Sequence, residues 1–119
     1  MNPHPDIADR LITDFGEHLA DSPKLAQDAL LVQFVNGLEM ELRFAGPEEY
    51  AIHWQWQGKR YAIDTAPLHR DLETFPNHLH KPDGTVAADT LTTPGSEPWD
   101  NVKALVAHLL ASPELFLVD

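Results

Sequence analysis

The chain has 119 residues, no cysteine and a net charge of −11. That length suits one domain, residues 1–119, with a real core, and the missing cysteines exclude a disulfide scaffold, a thiolate metal site and a cysteine nucleophile. The acidity excludes sequence-independent nucleic-acid binding by the whole surface. The opening MNPHPDIADR has no apolar core to make a signal peptide, and no apolar run approaches the ~20 residues needed to span a bilayer, so the cytoplasm is the expected compartment and no membrane partner is expected.

In chain order, Asp6 reads as the N-cap of a helix over about residues 6–20. Ile7, Leu11, Phe15 and Leu19 form its apolar stripe at four-residue spacing. Asp21-Ser22-Pro23 ends it, and Lys24 to Asp28 reads as one further helical turn. LLVQFVNGLEMELRF follows as a hairpin. A three-residue loop, Val35-Asn36-Gly37, sets Phe34 against Leu38, Val32 against Met40 and Leu30 against Leu42, which gives one wholly apolar face. Ala45-Gly46-Pro47 turns the chain into a second hairpin, 49–64. Here a two-residue loop at Gln57-Gly58 pairs Trp54 with Tyr61 and Ile52 with Ile63 on one face. His53, Gln55, Arg60 and Asp64 then fall on the other.

Pro67 and Pro76 bound an irregular stretch. His78-Leu79-His80 reads as a short strand and Thr85 to Ala88 as another. Ser96 reads as the cap of a last helix, whose apolar stripe is Trp99, Val102, Leu105, Val106, Leu109 and Leu110. The apolar tail ELFLVD is expected to pack on the sheet or helix. The expected class is α+β: an antiparallel sheet of two consecutive hairpins, four or five strands in all, packed against an N-terminal and a C-terminal helix.

Chemistry concentrates in residues 50–81, which hold four of the seven histidines and four of the eight bases. This stretch has net charge +1, between flanks of −7 and −5. His78 and His80 are two apart, so on an extended segment they leave by the same face. His69 can return to them from the preceding loop. Such a pair suits acid–base work or a metal, yet the spacing alone fits bland surface as well, and a metal site needs a third ligand. Asp64 can orient a histidine or cap the turn before Pro67. His53 taken alone fits a half-exposed strand position better than a site. Arg60 and Arg70 can grip phosphates or simply face water. Trp56, the more exposed of the hairpin tryptophans, can stack on a base.

Three blocks carry a resemblance: Tyr50-x-x-His53-Trp54-Gln55, Asp64-Thr65-Ala66-Pro67-x-His69, and Thr74-Phe75-Pro76-Asn77-His78-x-His80. In order and spacing they resemble the TumE family of toxin–antitoxin toxins, tightly over residues 50–80 and loosely over 30–110. Leu68 and Asn77 stand where that family has histidines, Thr65 where it has asparagine and Leu79 where it has lysine. Ala62-Ile63 stands where it has an arginine.

The resemblance implies a toxin aimed at RNA and restrained by a helix-turn-helix antitoxin protein, with a homodimer also open. The implied chemistry is metal-independent and needs no cofactor. His78 or His80 would deprotonate the ribose 2′-hydroxyl, and His69 would protonate the leaving oxygen. Asp64 and His53 complete the cluster, while Arg60, Arg70 or Lys81 would stabilise phosphorane charge. Two other readings remain. One is a non-catalytic binding module with an acidic docking surface and structural histidines; the other is a metal-dependent nuclease built on His78, His80 and Asp64.

Overall fold

The computed structural model describes residues 2–113; the apolar tail lies outside the described residues. Helix α1 is His4–Phe15 and a 3₁₀ turn follows at Gly16–His18. The strands are β1 Lys24–Leu25, β2 Leu30–Gln33, β3 Glu39–Gly46, β4 Glu49–Trp56, β5 Lys59–Asp64, β6 His78–His80 and β7 Val86–Ala88. Helix α2, Pro98–Ala111, completes them. All seven strands form one antiparallel sheet in sequence order, β1 to β7.

Alternation builds the sheet. Val32, Met40, Trp54 and Tyr61 share one face with Leu30, Leu42, Ile52, Ile63 and Leu79, and all are buried. The helices cover that face with Ile7 and Leu11 from α1 and Val102, Leu105, Val106 and Leu109 from α2. Phe15 meets Trp99 where the helices touch, with ring centroids 6.3 Å apart. Both hairpins have the expected registers. Leu30 lies opposite Leu42 and Val32 opposite Met40, and Phe34 N–H donates to the Leu38 carbonyl at 2.9 Å. Trp54 lies opposite Tyr61, their rings stacked at 5.5 Å. Gln57 and Gly58 take positive φ of 51° and 79°, the left-handed pair that a two-residue hairpin loop needs.

Five expectations need correction. The sheet has seven strands, not four or five. The extra ones are short and sit at or beyond its edges, where little periodicity can accumulate. Lys24-Leu25 is not a helical turn but an edge strand against Leu30-Leu31. Pro3, not Asp6, precedes α1, and Asp6 lies in the first turn, where its carboxylate suits the helix N-terminus. That helix stops at Phe15, and Leu19 instead bridges Phe34. Glu97, not Ser96, precedes α2, with Pro98 at the first helical position.

Candidate active site

The outer face of the sheet carries the polar groups. Asp64 ends β5 and lies opposite His78, while Ala62 lies opposite His80. Both histidines therefore leave β6 on the same side as Asp64, and Leu79 between them enters the core. The carboxylate divides itself between the two rings. Its Oδ2 lies 3.0 Å from His80 Nε2 and its Oδ1 3.0 Å from His78 Nε2. Oδ1 also accepts the Ala66 N–H at 3.0 Å, so Asp64 caps the turn and orients histidines at once.

The two histidines are not equivalent. His78 is 1% exposed, and its Nδ1 lies 3.1 Å from the Pro76 carbonyl. A carbonyl only accepts, so Nδ1 carries the proton. Its Nε2, although close to Asp64, lacks the alignment of a hydrogen bond and is left without such a partner. The His80 side chain is 40% exposed, and its Nε2 makes a hydrogen bond to Asp64 Oδ2. With Nε2–H donating, its Nδ1 is a bare lone pair. His69 comes back over the pair from the loop 65–77. Its ring centroid is 4.7 Å from that of His78 and 6.4 Å from that of His80, in edge-on contacts.

The other sequence candidates scatter. His53 shares the outer face but is two strands from β6, opposite Ala62, which is opposite His80. His53 and Arg60 line a separate shallow groove with Glu39, Glu41 and Gln55. Arg70 lies over the Phe75 ring at 5.6 Å, beside the cluster. Lys81 follows His80 directly and is half-buried. Trp56 is partly buried, and its indole N–H donates to the Asn36 carbonyl at 3.1 Å.

A buried network that sequence reasoning missed fixes the loop that carries His69. Asp89, 1% exposed, accepts from the backbone N–H groups of Leu91 and Thr92 at 2.8 and 3.2 Å. It also accepts from the Asn77 amide at 2.8 Å and from the Thr92 hydroxyl. Thr74 Oγ1 accepts the Asp89 N–H and donates to the Asn77 carbonyl, both at 2.8 Å. Tyr50 shares a hydrogen bond with Thr92 at 2.7 Å, and burial pushes its hydroxyl up to about 12, far from acid–base work near neutrality. The Asp89-Thr90-Leu91-Thr92 run holds the one available signal, an aspartate able to close its own turn. This network is the role of Asn77 here.

A small α+β protein with an acid–histidine cluster on the open face of a meander sheet is the class these features define. The family model described as Toxin TumE matches residues 6–112, and the chain belongs to the TumE toxin family. Membership makes it a toxin by family and implies an antitoxin partner. No match was found among curated proteins or among solved structures. Among the described residues, no helix is long and apolar enough to cross a membrane.

Proposed function

We propose that this toxin acts on RNA, cleaving it by metal-independent acid–base chemistry at the Asp64–His80 pair. The observation that carries this is the hydrogen bond from His80 Nε2 to Asp64 Oδ2 on a half-exposed ring. It leaves His80 Nδ1 free to take the proton of a ribose 2′-hydroxyl, with Asp64 stabilising the imidazolium that forms. His69, also half-buried and facing the same ring, is placed to return a proton to the departing 5′-oxygen. Burial withholds His78 from a polymer, so its part is to pack against His69 and not to act as the base. Arg70 and Lys81 flank the cluster and suit phosphate. Arg60 and His53, in the neighbouring groove, suit the more distant part of a strand. The partner that holds such a toxin off is a helix-turn-helix antitoxin on this reading, and the compartment is the cytoplasm.

The test is cleavage of total cellular RNA by purified protein in chelator. The wild type is expected to cut, and His80→Ala and Asp64→Asn to lose about 10²–10⁴-fold in rate, the range a positioned acid–base group contributes. His18→Ala, exposed and part of neither the cluster nor the groove, should match wild type. RNA left intact by folded wild-type protein in chelator would sink the metal-independent claim.

A further inference from the structure

The same cluster supports a second reading of its lone pairs. We propose that Asp64, His78 and His80 form a binding site for one divalent transition-metal ion of the Zn²⁺ class. We also propose that loading it switches off the His80–Asp64 pair. The binding stands on geometry alone; the switching rests on the acid–base reading above.

One donor atom from each of the three residues lies within 4.8 Å of the others. Two of the spacings, His78 Nε2 to Asp64 Oδ1 and His80 Nε2 to Asp64 Oδ2, are 3.0 Å. Donors about 2.0–2.1 Å from a tetrahedral zinc stand roughly 3.3 Å apart, so the two 3.0 Å spacings need to open slightly and the widest spacing, within 4.8 Å, needs to close. The donor set, two imidazoles and a carboxylate, suits Zn²⁺ and its neighbours in the transition series and not Mg²⁺ or Ca²⁺. The cross-strand register holds all three in place, because Asp64 faces His78 directly and His80 follows on the same face of β6.

His78 supplies the independent sign of a ligand. Its Nδ1–H is spent on the Pro76 carbonyl at 3.1 Å, which turns the bare Nε2 lone pair inward. A ring nitrogen held this way by a backbone carbonyl is the usual second-shell arrangement of a metal-bound histidine. That Nε2 is buried and has no hydrogen-bond partner. A lone pair facing a carboxylate oxygen at 3.0 Å is repulsive, and a cation between them removes the repulsion. An ion needs far less room than a ribose, so it can reach Nε2 from the open side of Asp64 and His80, where a polymer cannot. Three protein ligands leave a fourth position for water.

With Nε2 of His80 on the metal, its Nδ1 must carry the ring proton, and His80 can no longer act as a base. The neutral ring keeps its single proton, which moves from Nε2 to Nδ1 as the metal takes the Nε2 lone pair.

The test uses untagged full-length protein titrated with Zn²⁺ or Co²⁺. Expected are one ion per chain and visible Co²⁺ absorption of a low-coordinate N/O site. Tm should rise by about 10 °C at a hundredfold excess over Kd. His80→Ala, at a half-exposed position, and Asp64→Asn, which preserves shape, should weaken binding by more than the roughly 10–100-fold that second-shell changes cost. His53→Ala should bind as wild type. If the wild type takes up no ion, or if His80→Ala and Asp64→Asn bind as tightly as wild type, the site is an imidazolium–carboxylate pair and the proposal fails. If RNA cleavage in chelator is real, one equivalent of Zn²⁺ should abolish it; cleavage undiminished by a stoichiometrically bound ion overturns the switching claim and leaves the binding intact. A protein that binds the ion yet cuts no RNA sinks the acid–base reading, and the switching claim with it, but not the site.

Discussion

At the scale of single residues, the buried polar groups make the sharpest claims. His4 is 5% exposed, and its Nε2 accepts the Phe44 N–H at 3.1 Å across forty positions of sequence. It pins the start of α1 to β3. Burial holds its imidazole below the ordinary value, with Arg43 adding to the shift and Asp28 opposing it. The unfolded chain therefore binds this proton first. The stability that His4 contributes is complete above its unfolded value of about 6.5 and is lost as pH falls through the lower folded value. Thermal melts should show Tm falling below roughly pH 6.5, and His4→Gln should remove part of that slope. Equal slopes in the two proteins would contradict this. Asp89 permits a larger prediction. Asp89→Ala leaves the backbone N–H groups of Leu91 and Thr92 without their acceptor, at about 1–3 kcal/mol each, and removes one bond from the Asn77 amide and one from the Thr92 hydroxyl, so denaturant unfolding should show a loss of about 3 kcal/mol or more.

At the scale of elements, the two long hairpins were legible because side-chain alternation and turn chemistry agreed. Only the three-residue loop Val35-Asn36-Gly37 sets Phe34, Val32 and Leu30 against the apolar Leu38, Met40 and Leu42, and that is the register found. The second hairpin depends on Gly58 at φ 79°, where an added Cβ would meet nothing within 4 Å. The cost of Gly58→Ala is thus purely one of backbone conformation, and we expect about 1–2 kcal/mol with an unchanged denaturant m-value. A neutral substitution would mean that the turn tolerates another type.

What was not legible had local causes. β1 has two residues, too few for a period. β6 could be read because His78, Leu79 and His80 continue the alternation that β5 ends. The sharing of Asp64 between two rings followed from that register, and so did the common face. The difference between His78 and His80 did not follow. It depends on how the loop 65–77 folds back, and that loop is set by Asn77, Asp89 and Thr92, whose contacts span up to fifteen positions.

At the scale of the whole molecule, charge decides how such a protein would meet RNA. A net −11 repels a polyanion, and residues 50–81, at +1, form the only stretch that does not. Within it, Arg60 lies in the groove lined by Glu39 and Glu41, so its attraction for phosphate is partly cancelled. Arg70 and Lys81 remain beside the cluster. Two phosphate contacts on a single strand correspond to a log–log salt slope of about −1.4, and three to about −2. Fluorescence anisotropy with a short single-stranded RNA and a catalytically silent His80→Ala protein should therefore give a slope between these values. Arg70→Ala and Lys81→Ala should each make it shallower by about 0.7. A slope steeper than about −3 would require more cations than this face presents, and the RNA would then sit elsewhere. A shallow slope also means weak binding to bulk RNA, since counterion release supplies most non-specific affinity. A toxin built this way would depend on the shape of its target near His69, Arg70 and Phe75, and charge would do little of the selecting.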